Sequence, residues 1–547
     1  MTRYGISKMW IWFIGGFTCS LASIPVVAIA NSIGATGIDA QRLHEAPYDL
    51  TGRKIAIGQV EIGRPARFGL DKAGGTNRAV RPNRLFFRDS AAEADNLVDR
   101  HAASVASIMI SRDKTIVGVA PEAVLYASAV GVESRSEQPE ECLATQTLAM
   151  QNGGDVRAIN FSFGESLSQD PRPNPVLDGN ALLTQCVDWA ARVHNVLPVI
   201  AGNQGRGGFP IPTDAFNGMV IANSMRVDGE FTKVDFFSLG SEPEVVLGRD
   251  PATESNVGPR RSVTLVAPGS DVETLTPEGE IALPESGTSF AAPHVVATLA
   301  LLQEFGDRSI RQVLADPQSP NAANWGLDAR RQEVMKAVLM NSADKLEDAG
   351  DGRLLGMSRT FRDQRNRTWL DSDAHQSTRI PLDAQMGTGH LNAFRAYQQF
   401  SSGQWSPDAP VPAIGWDYRS IETTESGAAQ PKDYLIAEPL QEGSYISVTL
   451  AWNRLVDLRD TNNNQQYDLD EGFVDRGLNN LDIYLLPAEE DDISQAIWSS
   501  NSRVDSIEHL FYQIPETGQY KIRVVFRDRI NELTQPYAIA WWAVPAE

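Results

Sequence analysis

In the carboxyl-terminal part of the chain, apolar and polar residues alternate in five short segments, 445–450, 481–486, 509–514, 520–526 and 537–544. A period of two predicts half-buried strands. Ser401, Ser402 and Gly403, then Pro407, Pro410 and Pro412, punctuate the chain ahead of them, as turn and linker residues do. The expected arrangement is a linker at 401–415 followed by an all-β sandwich over 416–547. A different pattern follows Ser289, where Ala291, Ala292, Val295, Val296, Leu299, Leu301 and Leu302 predict a buried helix that Ser289 caps, with Pro293 near the first turn. At the amino end, Arg3 and Lys8 precede an apolar run over 9–17 that continues, broken by Ser and Pro25, to Ala28-Ile29-Ala30. This reads as an export leader over 1–30 with an A-x-A-like cleavage site. The mature chain is expected to start near Asn31, with a short extension to residue 50 and no later segment able to span a bilayer.

A chain of 547 residues with 42% hydrophobic residues is globular and too long for one ordinary core. Its formal net charge is -22, and -24 once Arg3 and Lys8 leave with the leader. Such acidity argues against nucleic acid as a partner and suits solubility or calcium binding. Of three cysteines, Cys19 leaves with the leader, and the Gly16-Phe17-Thr18 before it lacks the leucine of a lipid-attachment site. Cys142 and Cys186 remain, on apparent helices. An exported chain permits a disulfide between them, and two buried thiols are the alternative.

The densest chemical signal is Ser286-Gly287-Thr288-Ser289-Phe290-Ala291-Ala292-Pro293-His294-Val295. Gly287 allows close approach of the backbone, and a hydroxyl at a helix mouth is how a nucleophile is presented. This segment resembles the serine motif of the subtilisin-like serine proteases, and further matches follow in that family's order. Asp99-Arg100-His101-Ala102-Ala103-Ser104 is similar to its histidine helix, which puts His101 at the catalytic position. The run 158–164 resembles the strand on which the family's peptide substrates dock, implying substrate contacts at Phe161, Ser162, Phe163 and Gly164. The run 198–205, containing Gly202-Asn203, resembles the oxyanion segment, with Asn203 as the side-chain donor.

One position departs from the family. The segment 52–63 matches its first core strand, but Glu61 stands where relatives carry aspartate. The charge is kept while the reach grows by one C–C bond, about 1.5 Å. The resemblance implies that Ser289 attacks the scissile carbonyl, His101 moves the proton, and Glu61 orients the imidazole and stabilises its charged form. Asp71 and Asp99 are the other acids that could orient His101. A sedolisin-type Ser-Glu-Asp set also pairs Gly-Thr-Ser with a glutamate, but His101 and Asn203 argue against it. No metal is needed for this chemistry.

Matches at 266–269, 335–343 and 387–393 extend the resemblance over residues 50 to 400, roughly two thirds of the chain. It implies a three-layer α/β domain with a mainly parallel sheet over 51–400, followed by the sandwich, which weakly resembles the jelly-roll domains of secreted proteases. The implied protein is an exported endopeptidase, periplasmic or extracellular, acting on polypeptides. A silent peptide-binding protein and a peptide-cyclising transpeptidase are the alternatives. About 20 residues between the cleavage site and the first strand leave little room for the propeptide many relatives carry there. Residues 346–383 read as a loop insertion. Within the sandwich, Asp460, Asn462, Asn464, Gln466 (through its carbonyl), Asp468 and Glu471 match the 1, 3, 5, 7, 9, 12 spacing of a calcium loop. Position 6 is Gln465 rather than glycine.

Overall fold

A computed structural model describes residues 32–65, 77–92, 98–131, 137–203, 210–227, 229–233, 256–257, 259–318, 324–425, 427 and 429–546. The expected leader and cleavage site, Asp71, and the end of the oxyanion segment at Gln204 and Gly205 lie outside them.

Among the described residues ten strands form the central sheet: β1 (Ala56–Glu61), β2 (Arg84–Phe87), β3 (Ser90–Ala91), β4 (Val124–Ala129), β5 (Val156–Phe161), β6 (Leu197–Ala201), β7 (Met219–Val227), β8 (Glu230–Lys233), β9 (Val263–Pro268) and β10 (Phe361–Arg362). Their order is β10-β8-β7-β6-β5-β1-β4-β2-β3, with β9 also on β7. Pairing from β7 through β2 is parallel, whereas β8 on β7 and β3 on β2 are antiparallel. Strands β1, β5, β6 and β9 are buried throughout and need a layer on each face. Helices α1 (Arg100–Ile110), α4 (Thr288–Ala315) and α5 (Gln332–Asn341) line one face, and α2 (Gln138–Ala149) and α3 (Leu182–Val193) the other. A sixth helix, α6 (Ala393–Ser401), closes the domain beside α4 and α5.

Alternation along β1 sets up the site. Ala56 and Val60 enter the core under α2 and α3, while Ile57 joins the core under α1 and α4. Gln59 shares the parity of Ile57 and donates through Nε2 to the Ala102 carbonyl of α1 at 3.0 Å. Glu61 follows in the same parity and so faces α1.

The carboxyl-terminal part is a β-sandwich of two antiparallel four-stranded sheets. Strands β11 (Ile414–Glu422), β13 (Tyr445–Trp452), β18 (Ile507–Gln513) and β20 (Thr534–Trp542) make one; β12 (Lys432–Leu435), β16 (Asn480–Pro487), β17 (Trp498–Ser500) and β19 (Tyr520–Asp528) make the other. The first strand starts at Ile414, two residues ahead of the expected boundary. The sandwich is fused to the α/β domain rather than hung from it. Asn341 Oδ1 at the end of α5 accepts from Ser447 (2.9 Å) and Thr449 (3.1 Å), and Gln399 Nε2 of α6 donates to the carbonyls of Gly415 and Trp541 at 2.9 Å each. A hairpin, β14 (Leu455–Leu458) and β15 (Phe473–Gly477), leaves the sandwich and inserts Val456, Tyr467 and Phe473 into the core of α2 and α3.

Cys142 of α2 and Cys186 of α3 form a disulfide, Cα to Cα 5.8 Å, so of the two sequence readings the bonded one holds. Residues 346–383, expected to be a loop insertion, carry more structure than that. They supply β10 to the sheet, and Leu355, Met357, Phe361 and Trp369 pack with Phe511 and Trp542 as a wedge between the sheet and the sandwich.

Candidate active site

In open α/β sheets ligands bind beyond the carboxyl ends of the strands, and every candidate catalytic residue on a strand lies there. Glu61 ends β1, Ser162 to Gly164 follow β5, and Gly202 and Asn203 follow β6. Gly269, just after β9, approaches the serine segment so closely that a Cβ would lie 2.7 Å from Asn223 Oδ1 and clash with the Gly287 carbonyl. The Gly287 N–H donates to the Gly269 carbonyl at 2.8 Å, fixing the start of α4.

Ser289 does not cap that helix. Gly287 is the cap residue and Ser289 is the second helical residue, 3% exposed. Pro293, also expected in the first turn, lies deeper and removes the N–H that would pair with the Ser289 carbonyl. Ser162 Oγ takes its place, donating to that carbonyl at 2.8 Å. In return Ser289 Oγ donates to the Ser162 carbonyl at 3.1 Å. The proline thus leaves an acceptor that ties the Ser289 segment to the end of β5. Thr288 Oγ1 donates to the Gly202 carbonyl at 2.7 Å, tying the same segment to the peptide ahead of Asn203.

His101 lies in the first turn of α1. Its ring packs on Phe290, centroids 5.5 Å apart, next to Ser289. Nδ1 lies 3.3 Å from Glu61 Oε1, ion-pair distance and longer than the usual N–H···O bond. Asp99 is occupied differently: its carboxylate caps α1 by accepting from Ala102 N at 2.8 Å. Burial disfavours the imidazolium, but the carboxylates of Glu61, first, and of Asp99 and Glu285 together outweigh it and raise His101 to about 9. Burial also lifts Glu61, 2% exposed, above the ordinary carboxylate range against the pull of His101. Among the described residues no hydrogen bond joins His101 to Ser289; a catalytic contact of this kind often tightens only with substrate bound. Asn203 is buried with Oδ1 unpartnered, and the Ser289 N–H belongs to the first turn of α4, where intrahelical acceptors are lacking.

The expected substrate strand needs one correction. Phe161 is internal to the sheet, paired with Val60 on β1 and Ile200 on β6, and its ring is in the core. Neither its backbone nor its side chain is free for a peptide, so a docking edge can begin only at Ser162. Beyond Gly164, the Glu165 N–H and carbonyl are both paired with Ile211.

In the 460–471 loop, Asp460 accepts from Asn464 N and Gln465 N, and Asn462 and Asn464 both donate through Nδ2 to Asp468 Oδ2 (2.7 and 2.9 Å). Glu471 accepts from Thr461 N (2.6 Å), Thr461 Oγ1 (2.9 Å) and Asp468 N (3.2 Å). Gln465 adopts φ 61°, the left-handed backbone that glycine supplies at position 6 of such loops. The donor set is all oxygen, yet among the described residues no group of three or more His, Cys, Asp or Glu is gathered to hold a metal. The Tyr467 backbone clamps Gln146 of α2, accepting from Nε2 at 3.1 Å and donating to Oε1 at 2.6 Å.

A model of the Subtilase family matches residues 75–358, just over half of the chain. The chain belongs to the subtilase family. This subtilase is similar to subtilisin DY of Bacillus licheniformis, 31% identical over 235 residues that cover 41% of this chain and 71% of that protein. Thermitase of Thermoactinomyces vulgaris is 26% identical over 262 residues, covering 48% and 72%. A thermostable alkaline protease of Halalkalibacterium halodurans is 26% identical over 295 residues, covering 52% and 68%. Among solved structures, the prenylagaramide maturation protease PagA aligns at TM-score 0.37 with 20% identity, over 63% of this chain and 93% of that one. MycP1 from Mycobacterium smegmatis aligns at 0.36 with 15% identity, over 68% and 83%. This subtilase is a serine-type endopeptidase, a hydrolase whose substrates are polypeptides. Its fold is the expected three-layer α/β domain followed by a β-sandwich. The family match starts after Glu61, so that residue's role rests on the geometry above. Among the described residues no helix is long and apolar enough to cross a membrane.

Proposed function

We propose that this subtilase is an exported endopeptidase with a leader over 1–30, an extension at 31–50, a peptidase domain at 51–400, a linker at 401–415 and a sandwich at 416–547, working through a Ser289-His101-Glu61 set. The observation that carries the reading is the pairing of Glu61 with His101 Nδ1 beside the Ser289 segment. The peptide lies along Ser162 to Gly164. Ser289 Oγ swings off the Ser162 carbonyl, attacks the scissile carbonyl, and gives its proton to His101 Nε2. The oxyanion is met by the Asn203 amide and the Ser289 N–H, where the helix dipole favours negative charge. Glu61 stabilises the imidazolium, which protonates the leaving amine. Water then releases the acyl-enzyme by the reverse sequence. The Cys142–Cys186 disulfide fits an oxidising compartment and supports export.

An activity probe tests this directly. A fluorophosphonate is expected to label the wild-type protein and to leave Ser289→Ala unlabelled. An unlabelled wild type would favour the silent peptide binder, and ring-closed products by mass would favour transpeptidation.

The 460–471 spacing suits calcium as a structural ion, although the carboxylates are not gathered as a ligand set among the described residues. Asp460, Asn462, Asn464, the Gln466 carbonyl, Asp468 and Glu471 would hold it, and its charge would offset three carboxylates. Calcium is expected to raise the melting temperature of the wild type and to leave Glu471→Ala unchanged. An equal rise in both would remove this loop as the site.

A further inference from the structure

Between β9 and α4 the chain folds back on itself as a hairpin beside the start of α1. Val272 and Glu285 exchange both backbone hydrogen bonds at its root, 2.9 and 3.0 Å, and Leu275 bridges Ile281 nearer the tip. Two residues separate these pairs on the first arm and three on the second, which makes a β-bulge at Leu283 and Pro284. Proline is tolerated at a bulge, where no ladder N–H is asked of it. The underside is pinned: Thr274 Oγ1 donates to Ser104 Oγ and Ser107 Oγ accepts from Leu275 N, each at 3.1 Å, while Asn77 Nδ2 donates to the Thr276 carbonyl at 3.0 Å. Ala282 and Leu275 are buried with it. The outer side carries Ile281, 59% exposed, Leu283, 78% exposed, and Pro284, also exposed.

A single exposed aliphatic residue is ordinary. Two at alternate positions of one pinned arm, followed by a proline that the bulge turns outward, make an apolar patch of the kind that meets a partner. Its place says which partner. Glu285, at the hairpin root, lies 3.5 Å from Nε of Arg100, the residue before His101, and Ser286 beside it opens the segment that carries Ser289. The acyl half of a polypeptide reaches Ser289 along 162–164, from the end of β5. The other half departs past His101, the group that protonates the leaving amine, and the hairpin flanks that route. We propose that Leu283, with Ile281 and Pro284, holds an apolar side chain of the polypeptide substrate on the leaving-group side of the scissile bond. The inference deepens the protease reading and rests on it for the roles of His101 and 162–164.

Internally quenched peptides cleaved at one bond, with leucine or its polar near-isostere asparagine at each position beyond that bond in turn, test it. At one position leucine is expected to raise kcat/KM about tenfold, the scale of burying one aliphatic side chain. The gain should reside in KM rather than kcat, since the contact forms on binding. Leu283→Ser, a change at an exposed site, is expected to bring the two peptides within about twofold of each other while the asparagine peptide is cleaved as before. A peptide methyl ester ends at the scissile bond and loses only methanol, so wild type and Leu283→Ser should hydrolyse it equally. Equal cleavage of the leucine and asparagine peptides at every such position would overturn the proposal, as would a preference that survives Leu283→Ser combined with Ile281→Ser, or an equal loss on the ester. A dimer that Leu283→Ser dissolves would assign the patch to a second copy instead. Fluorophosphonate labelling separates the two readings. A labelled enzyme without leucine preference keeps the protease and loses the patch. With an unlabelled protein the same peptides are titrated intact by anisotropy, and a leucine preference lost in Leu283→Ser keeps the patch and loses the protease.

Discussion

Glu61→Gln is expected to lower kcat by about 10³- to 10⁴-fold, because an amide can neither stabilise the imidazolium nor select its tautomer. The pH profile should change as well. In the proposed mechanism His101 must be neutral to accept the Ser289 proton, and Glu61, with Asp99 and Glu285, holds it charged up to about 9, so wild-type kcat/KM should climb with pH through the alkaline range. In Glu61→Gln that limb should fall toward the ordinary imidazole value near 6.5. Stability follows the same pair. The folded His101 pKa lies above the unfolded one, so the contribution of its protonation is fully present below about 6.5 and is lost as pH rises through about 9, while acid that protonates Glu61, itself raised by burial, removes the partner carboxylate. Near-parental turnover, or an unmoved acid limb, would transfer the orienting role to another acid. Asp99 is a poor replacement, since it is committed to the α1 cap.

The second large effect lies at the domain junction. Arg454, at the root of the β14–β15 hairpin, is buried, with Nη2 2.7 Å from Asp188 Oδ2 on α3, Nε 3.0 Å from the same oxygen, and a further bond to the Gly179 carbonyl. Its backbone N–H donates to Asn217 Oδ1 at 2.7 Å, while Asp188 also accepts from Phe216 N and Asn217 N. Arg454→Ala leaves the buried Asp188 charge without its hydrogen-bonded cation, with Arg260 the nearby one that remains, and should cost about 3–5 kcal/mol. Urea unfolding measures this, and Asp188→Asn combined with Arg454→Ala should cost less than the sum of the two singles. Unchanged stability in Arg454→Ala would mean that Val456, Tyr467 and Phe473 hold the junction without it.

The parts of this site written in the sequence are those whose chemistry is local. Ser289, His101 and Asn203 sit among small residues and glycines that close packing demands, and Glu61 is fixed by its place at the end of one strand. The five alternating segments likewise became strands, although nearly every residue in them is buried, because both faces are covered rather than one left wet. Longer-range relations were hidden. The hairpin 455–458 and 473–477 buries its apolar residues against α3 of the other domain, so no local period announces it. Leu355, Met357, Phe361 and Trp369 are scattered through a charged stretch and became a wedge only once two surfaces enclosed them. Phe161 read as part of a docking edge, yet its strand has neighbours on both sides. The exchange between Ser162 and the carbonyl freed by Pro293 needs both segments in place before it can be seen.

The two ends of the central sheet have one more consequence. Among the described residues it terminates in β3 on one side and β10 on the other, each only two residues long. At β10, Arg362 pairs with Glu230 at 2.5 Å. A further strand would find almost no free ladder to copy, and at one end would meet a charge pair. Such short ends offer little template for edge-to-edge aggregation, the hazard that long open edges carry when a protein becomes concentrated.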